Sequence, residues 1–351
     1  MKQLNQLPPR RALWRRADFF LLALAALTVF LGLQLYDSGT EYGVSSGAVP
    51  DTVTEPEKPV PPAGKISQRE VASMPESGRP LRFLMLNVEN YFVAGEQQRS
   101  RYVNTPKPIE EREAVADVIS SVRPEIVGLV EMGGPLALAD LQLRLEARGM
   151  RYGYSRVLLR GGEDRALALL SMHPIACDES RADYGLFGQQ KRRMLRGILD
   201  VTLRLNDGRL FRVLGVHLKS RVGEDAAAAS SLRRREAQTL ARYIQEKMRQ
   251  QPNLPMVVYG DWNDNPQDAS IRLMEQGCAA DCALHRLRPK DSRGEEWTLY
   301  YRRGNTYNTF DHIFVNAPMK QRIKRRSVSG IVDIPAARNA SDHRAVWCEL
   351  R

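Results

Sequence analysis

The sequence YGDWNDNP occupies residues 259–266 and directly follows the apolar run 254–258. A short apolar run of this kind is typical of a buried β-strand, and Pro266 prevents the strand from continuing. Residues 261–264 therefore place two carboxylates, an indole and an amide at the carboxyl end of a predicted strand. Such positions often carry active sites in α/β proteins, but Gly, Asp, Asn and Pro are also ordinary turn residues. Taken alone, the stretch fits a site and a turn equally well.

Polar residues recur at the ends of other predicted strands. They are Asn87, Glu89 and Asn90 at the end of the strand 81–88, Glu131 after 126–130, His217 and Lys219 after 211–216, Asp311 and His312 within 309–315, and Asp342 and His343 at the start of the last strand, 343–350. A single residue of this kind is usually turn chemistry, and a lone histidine is usually a core residue. The recurrence of acids, amides and histidines at so many strand ends favours one shared site.

These residue types suit the hydrolysis of a phosphate ester. Carboxylate and amide oxygens are the ligands that Mg²⁺ or Mn²⁺ prefers, and a His–Asp pair can orient and deprotonate water. Asparagine and protonated histidine can donate to phosphoryl oxygens as their charge grows. Residues 81–351 contain no Gly-x-Ser-x-Gly elbow, no P-loop and no Gly-x-Gly-x-x-Gly motif after a strand. Acyl transfer and nucleotide-dependent mechanisms are therefore disfavoured.

Six short motifs together resemble the ordered motifs of the endonuclease/exonuclease/phosphatase superfamily. They are LNVEN (86–90), LVEM (129–132), GVHLKS (215–220), YGDWNDNP (259–266), FDHIFV (310–315) and SDHRAV (341–346). That superfamily includes DNase I-like nucleases, abasic-site endonucleases, sphingomyelinases and inositol-polyphosphate phosphatases. The resemblance spans about 81–351. It implies an α/β (α+β) fold, a four-layer sandwich of two mixed β-sheets packed face to face with outer helices, and a site at one edge.

The resemblance also implies roles for individual residues, with Mg²⁺ or Mn²⁺ as the cofactor. Glu131 would be the principal metal ligand, and the supporting ligands would be Asn87, Glu89 and Asp342. The catalytic residues would be His343, oriented by Asp311, together with Asp261, Asn263 and His217. Whether Asp261 or His343 takes the proton from water stays open at this point.

The charge of the chain favours an anionic partner. The 351 residues carry a formal net charge of +11, and basic clusters occur at 191–196, 233–235 and 320–326. Lys219 and Arg221 follow His217 closely and are candidates for binding a substrate phosphate. Several basic clusters on one domain are typical of nucleic-acid binding, and the segment HLKSR (217–221) resembles bacterial secreted nucleases of the superfamily. We therefore expect a nuclease, with a phospholipid or sphingomyelin phosphodiesterase, a phosphomonoesterase and a non-catalytic binding module as alternatives.

The N-terminal third of the chain predicts a membrane anchor and a linker. Residues 1–18 are basic, and residues 19–36 are almost wholly apolar. This apolar run would span about 27 Å as a helix, close to the hydrocarbon thickness of a bilayer. Positive charge before it predicts a cytoplasmic N-terminus, with a cleaved signal peptide as the rival interpretation. We expect a single-pass anchor in a bacterial inner membrane, a disordered Pro-rich linker over 37–80, and a monomeric catalytic domain over 81–351 that is periplasmic or extracellular, or secreted if the anchor is cleaved.

The periodicity of the catalytic segment predicts mixed secondary structure. Helices are expected at 109–122, 135–148 and 226–248, and a hairpin is expected where Asn206-Asp207-Gly208 joins strands 196–205 and 210–218. Cys278 and Cys282 are close enough in sequence to form a disulfide or to stay as two free thiols. The residues around them do not complete a zinc site.

Overall fold

Strands and helices alternate along the chain in the computed structural model, which describes residues 66–72, 80–95, 105–221, 225–277, 283–323 and 328–350. The strands are β1 (Leu81–Tyr91), β2 (Ile126–Met132), β3 (Tyr154–Leu158), β4 (Ala166–Ser171), β5 (Ile175–Asp178), β6 (Gly185–Leu186), β7 (Gln189–Arg193), β8 (Leu199–Arg204), β9 (Leu210–His217), β10 (Met256–Asp261), β11 (His285–Arg286), β12 (Leu299–Tyr301), β13 (Thr306–Asn308), β14 (Asp311–Val315), β15 (Ser329–Ile331) and β16 (Val346–Leu350). The helices are α1 (Gln68–Ala72), α2 (Ile109–Val122), α3 (Pro135–Glu146), α4 (Ala226–Gln250), α5 (Ala269–Gln276), α6 (Ala317–Arg322) and α7 (Ala337–Ala340).

Two six-stranded mixed sheets form the centre of the fold. The first has the order β15-β16-β1-β2-β4-β3, and the second has the order β11-β14-β10-β9-β8-β5. Each sheet contains one parallel pair near its middle, β1 with β2 and β9 with β10, while its other pairs are antiparallel. The carboxyl ends of both parallel pairs hold the polar residues that the sequence singled out.

The apolar residues are divided into three layers of core. The two sheets face each other through residues such as Phe83 and Leu169 from the first and Val213 and Val257 from the second. The outer face of the first sheet packs against α2 and α3, and that of the second packs against α4 and α5. Because side chains alternate across a strand, one apolar run serves both faces of its sheet. The predicted four-layer α/β sandwich is confirmed.

Tyr259, the first residue of the stretch YGDWNDNP, links the two sheets. Its hydroxyl donates to the Ala168 carbonyl oxygen across the sandwich at 3.0 Å. A Cβ at Gly128 would lie 2.4 Å from the Tyr259 ring, and a Cβ at Gly215 would lie 2.6 Å from its hydroxyl oxygen. Glycine is therefore required at both positions, and the close packing fixes β10 where Asp261 begins its turn.

The predicted elements agree closely with the structure, apart from their ends. Helix α2 has the predicted bounds, α3 ends at Glu146 rather than near residue 148, and α4 continues to Gln250. Strands β8 and β9 form the expected antiparallel hairpin. Short elements such as β5 and α6 were not predicted, since few residues give little periodicity.

The predicted linker over 37–80 is wrong at its carboxyl end. Residues 66–72 include the short helix α1, and Ile66 and Val71 are buried against Cys177, Leu210 and Leu254. Two apolar side chains suffice for this contact, although the average composition of the segment is polar. The predicted basic segment 1–18, the predicted anchor 19–36, and Cys278 and Cys282 lie outside the described residues. Within the described ranges, none of the helices has the length and apolar character needed to cross a bilayer.

Candidate active site at the edge of the sandwich

Three site residues stand side by side on the second sheet. The register of β9, β10 and β14 pairs Asp261 with His217 on one side and with Asp311 on the other. All three side chains are buried. Neighbouring strands thus carry an imidazole and two carboxylates at one level, which confirms that the motifs come together.

The first sheet contributes residues from an irregular edge. Asn87 lies near the end of β1 and Glu131 near the end of β2, and the pairing of these strands shifts between Asn87 and Tyr91. Glu89 has a φ of 47° and Glu131 a φ of 62°. This left-handed region costs non-glycine residues about 1–3 kcal/mol and is often found at functional sites.

His343 and Asn87 join the two sheets at the site. The Nδ1 of His343 lies 2.7 Å from Asp311 Oδ2, and its Nε2 lies 3.8 Å from Asp261 Oδ2. The amide of Asn87 donates to Asp261 Oδ2 at 3.1 Å. Ser341 donates to the Asn87 carbonyl oxygen and accepts from the His343 N–H, so the His343 backbone is tied to β1.

The charges around His343 favour its protonated form. Burial alone would lower the pKa of the imidazole, but the carboxylates of Asp311, Asp261 and Asp342 outweigh burial and raise the pKa well above its usual value. The raised pKa favours the imidazolium form of His343. This form can donate a hydrogen bond or a proton, and it is poorly suited to accept one.

Asp261 has the opposite character. Burial raises the pKa of its carboxyl group to about 7, an effect that the positive charge of His343 reduces and the negative charges of Asp311 and Glu131 increase. The Asn263 N–H donates to Asp261 Oδ1 at 2.9 Å, which fixes the orientation of the carboxylate. A carboxylate whose pKa lies near 7 is well matched to accept a proton from water.

His217 lies between two carboxylates, and its imidazole is neutral. Its Nε2 lies 3.7 Å from Asp261 Oδ2 and 3.8 Å from Glu131 Oε1. Burial and the nearby charges of Arg196 and Arg165 lower the pKa of the imidazole well below its usual value. A neutral imidazole in this position can donate one N–H to a phosphoryl oxygen.

Asn263 sits on a supported turn after β10. Its φ is 52°, and its Nδ2 donates to the Leu218 carbonyl oxygen at 3.1 Å. Arg221 supports this turn from outside, because its Nε donates to the Asn263 carbonyl oxygen at 2.8 Å and its guanidinium also binds the carboxylates of Asp264 and Asp268. The phosphate-binding role of Arg221 stays a prediction, and the structure gives the residue a second role in support of Asn263.

Asp264, three residues after Asp261, belongs to the scaffold. Its Oδ1 accepts from Arg233 Nε at 2.7 Å, and its Oδ2 accepts from the Ser270 hydroxyl at 2.7 Å. His312 also belongs to the scaffold, although its neighbour Asp311 belongs to the site. Its Nε2 lies 3.0 Å from the Asp264 carbonyl oxygen, and burial lowers its pKa to about 4.

The oxygen-rich edge of the first sheet suits a hard cation. Glu131 keeps 17% of its side chain exposed, and Glu89 Oε2 accepts the Asp342 N–H at 2.8 Å. The Asn87 oxygen accepts the Glu89 N–H at 3.0 Å, so its part in metal binding stays a prediction. Among the described residues, no three His, Cys, Asp or Glu side chains are grouped closely enough to enclose a metal ion. Magnesium commonly needs only one or two carboxylates besides water and substrate phosphate, so the donor set present fits such an ion.

Arg196 is a basic residue of the site that the sequence did not identify. It is buried, and its Nε and Nη1 have no hydrogen-bond partner in the described part of the chain. Glu236 on α4 accepts the N–H groups of Leu195 and Lys219 at 2.9 and 2.7 Å, so it positions the segments that carry Arg196 and Lys219. The basic run at 191–196 was visible in the sequence, but which of its arginines turns inward depends on this tertiary contact.

Comparisons with known proteins identify the family of this chain. Residues 93–343 match the model of the Endonuclease/Exonuclease/phosphatase family, whose members are hydrolytic, divalent-metal-dependent phosphoesterases. The human Nocturnin catalytic domain with bound sulfate is similar at 16% identity and a TM-score of 0.54, over 78% of this chain and 94% of that one. Sphingomyelinase C from Streptomyces griseocarneus is similar at 17% identity and a TM-score of 0.55, over 78% and 100% of the two chains.

A third solved structure, a variant of beta toxin from Staphylococcus aureus, was determined with bound magnesium ions. It is 15% identical and has a TM-score of 0.54, over 78% of this chain and 100% of that one. These low identities support the fold alone. A comparison with curated protein sequences finds no match.

Proposed function

Since this chain belongs to the endonuclease/exonuclease/phosphatase family, we propose that it is a divalent-metal-dependent phosphodiesterase that cleaves DNA or RNA outside the cytoplasm. The observation that carries the proposal is the completeness of the site. The residues expected for phosphoryl transfer lie at one edge of the sandwich, in contact or close to contact: Asn87, Glu131, His217, Asp261, Asp311 and His343.

The raised pKa values of Asp261 and His343 suggest different roles for the two residues in catalysis. Asp261, with a pKa near 7, accepts a proton from the attacking water. His343 stays protonated through its contact with Asp311 and stabilises the negative charge that grows on the phosphoryl group. This assignment favours Asp261 over His343 as the base.

The neutral donors would complete the binding of the phosphate. His217 and Asn263 are placed beside Asp261 and can donate to non-bridging oxygens. Glu131 and Glu89, with Asp342 nearby, would hold Mg²⁺ or Mn²⁺, which when bound neutralises charge on the phosphoryl oxygens. Arg196 and Lys219 add positive charge beside His217, since both contribute to the lowered pKa of that imidazole.

Nucleic acid is the substrate that the basic character of the chain favours. The net charge is +11, and the buried guanidinium of Arg196 offers donors that have no protein partner among the described residues. A substrate with several phosphates gains affinity from each contact to a basic side chain, because condensed counterions are released. Anchoring through 19–36, a monomeric catalytic domain and an extracytoplasmic location belong to the same proposal and rest on the sequence pattern alone.

A substrate panel tests the proposal. The full-length chain, purified in detergent, is incubated with Mg²⁺ and plasmid DNA, RNA, sphingomyelin or inositol phosphates, each with an EDTA control and beside Asp261→Asn. We expect cleavage of DNA or RNA that EDTA and Asp261→Asn both abolish. Cleavage of sphingomyelin or inositol phosphates without cleavage of nucleic acid would overturn the nuclease assignment.

A further inference from the structure

A groove of about 420 Å³ adjoins the catalytic centre on the side of His343. Ser341 and Asp342, the two residues before His343, form part of its wall. Tyr300 and Tyr307 of the β12–β13 hairpin form another part of the wall. The groove therefore lies next to the segment that carries His343.

Three aromatic rings form a continuous surface in the groove, which we call the aromatic platform (Trp297, Tyr300 and Tyr307). The rings of Tyr300 and Tyr307 are stacked with centroids 4.8 Å apart and an interplanar angle of 25°. Trp297 meets Tyr307 edge to face at 4.9 Å. Tyr307 is 59% exposed. An exposed ring held by other rings offers a flat apolar face that costs little entropy on binding.

The hairpin register gives the platform a matched outside face. Tyr300 pairs with Tyr307 across the hairpin and Tyr301 pairs with Thr306, so Tyr300 and Tyr307 share one face while Tyr301 points to the other. Tyr301 is 43% exposed and does not line the groove. The two faces therefore carry exposed tyrosines that differ mainly in whether they reach the groove.

The aromatic platform is fixed to the catalytic segment through the backbone. Leu299 forms an antiparallel bridge with His343, and the Tyr300 N–H donates to the Asp342 carbonyl oxygen at 3.2 Å. The Thr298 hydroxyl accepts the N–H groups of Phe310 and Asp311. A ligand stacked on the platform is thus held at a set distance from His343 and Asp311.

The charged residues of the groove favour a phosphate. Four arginines, Arg302 and Arg338 among them, line it against two carboxylates, Asp333 and Asp342. Among the described residues, neither Arg302 nor Arg338 forms an ion pair with a carboxylate. Arg344 is different, because it is bound to Asp291 at 2.8 Å and lies over the Trp297 ring. Aromatic faces beside unpaired arginines suit a nucleobase with its phosphate, whereas these arginines would repel a quaternary ammonium headgroup.

We propose that the aromatic platform binds an unpaired nucleobase and that Arg302 and Arg338 bind its flanking phosphate, so that the enzyme acts on single-stranded or locally unpaired nucleic acid. The proposal rests on the proposed nuclease function and names the form of its substrate. A base can lay its face on a tyrosine only after it has left its own stack, as in the recognition of single strands by other proteins.

Binding of a labelled oligonucleotide tests the platform without hydrolysis. The full-length Asp261→Asn protein is titrated, in EDTA, against a fluorescent single strand of about eight nucleotides and against the matching blunt duplex, with anisotropy as the readout. Adding Tyr307→Ala should raise the Kd for the single strand roughly tenfold, the size expected for one lost base stack. The Kd for the duplex should change less than about twofold.

Two matched variants control for changes unrelated to stacking. Tyr307→Phe keeps the ring and should bind the single strand within about twofold of the parent. Tyr301→Ala removes an exposed tyrosine from the outside face and should also bind within about twofold. Equal Kd values for Tyr307→Ala, Tyr301→Ala and the parent protein would overturn the proposal, as would a loss with Tyr301→Ala as large as that with Tyr307→Ala.

The arginines have their own readout. Arg338→Gln should weaken binding of the single strand and reduce the slope of log Kd against log salt by about 0.7, the value for one phosphate contact on a single strand. An unchanged slope would remove Arg338 from the proposed site.

Failure of this proposal and failure of the nuclease function can be told apart. If the protein cleaves nucleic acid with Mg²⁺ but Tyr307→Ala binds the single strand normally, the platform is wrong and the nuclease function stands. If the protein with Asp261 intact cleaves no nucleic acid, the nuclease function is wrong and the platform proposal falls with it.

Discussion

The two sheets meet the active site in different ways. The second sheet brings His217, Asp261 and Asp311 in regular register, and all three side chains are buried. The first sheet brings Glu89 and Glu131 on a shifted pairing with left-handed backbone, and both side chains are only partly buried. We call these the regular half and the irregular half of the site.

The difference matches two chemical tasks. Proton transfer needs groups whose pKa values are set by burial and by fixed neighbours, and the regular half places Asp261 and the Asp311–His343 pair in such surroundings. A cation that exchanges water and substrate needs carboxylates that reach solvent, and the irregular half turns Glu89 and Glu131 out of the β-ladder to do so. Left-handed backbone thus occurs at Glu89 and Glu131, where the metal is expected, and also at Asn263 beside the proton acceptor Asp261.

The largest expected effect comes from the regular half. Asp261→Asn should lower kcat by about a thousandfold or more, because it removes the proton acceptor while keeping the shape of the side chain. Asp264→Asn is the matched control. It should lower the free energy of unfolding by about 3 kcal/mol, since it weakens a buried ion pair with Arg233, and it should leave kcat within tenfold. Equal losses of kcat in both variants, measured beside thermal unfolding, would show that the stretch acts only through stability.

A variant of the irregular half should respond to metal concentration. Glu131→Gln should lower kcat/KM by about a hundredfold or more at low Mg²⁺, because a ligand carboxylate is lost. Raising Mg²⁺ or Mn²⁺ should restore part of this activity, whereas no metal concentration should restore Asp261→Asn. The measurement is kcat/KM against metal concentration for both variants. Full recovery of the kcat/KM of Asp261→Asn at high metal concentration would contradict the different roles assigned to the two halves.

The pH dependence of activity tests the protonation states proposed for Asp261 and His343. Activity should rise with pH as the Asp261 carboxyl, with a pKa of about 7, ionises, and it should fall at high pH as His343 loses its proton. Asp311→Asn removes the carboxylate that raises the pKa of His343. The fall should therefore begin about 1–3 pH units lower. An alkaline limb unchanged by Asp311→Asn, with His343 followed by NMR titration, would contradict the proposed protonated imidazole.

The smallest effects are expected from two arginines near the site. Arg196 should act in substrate binding, and Arg221 should act in structural support. Arg196→Ala should raise KM more than tenfold, because its buried guanidinium has donors without a partner in the described residues. It should not lower the free energy of unfolding. Arg221→Ala should change kcat/KM less than about fivefold and destabilise by about 1 kcal/mol, a modest value because its side chain is partly exposed. Steady-state kinetics and thermal unfolding measure these effects. A loss of stability in Arg196→Ala together with a raised KM in Arg221→Ala would show that the two roles are exchanged.

The sequence predicted the fold and most of the site because both follow local patterns. Apolar runs ended by polar residues located β1, β2, β9 and β10, and the six motifs fell at the ends of these and neighbouring strands. The two Asp-His pairs show the limit of such patterns. Asp311 faces the site and His312 faces away, while His343 faces the site and Asp342 lies at its rim. Only the tertiary placement of each pair decides which of its members is used.

What the sequence missed depends on contacts between distant segments. Arg196 was one arginine in a basic run, and its burial follows from the bond of Leu195 to Glu236 on α4. Tyr300 and Tyr307 lie on strands of three residues each, too short to show a period. Glu89 and Glu131 follow the predicted strands 81–88 and 126–130, and nothing in their side chains signals that their φ is positive.

Calorimetric titration of Mg²⁺ or Mn²⁺ into Asp261→Asn and Glu131→Gln tests the division of the site most directly. We predict that Asp261→Asn binds the ion with an affinity within about tenfold of the unsubstituted protein, and that Glu131→Gln binds it at least about tenfold more weakly than Asp261→Asn does. Loss of binding in Asp261→Asn together with normal binding in Glu131→Gln would contradict the account.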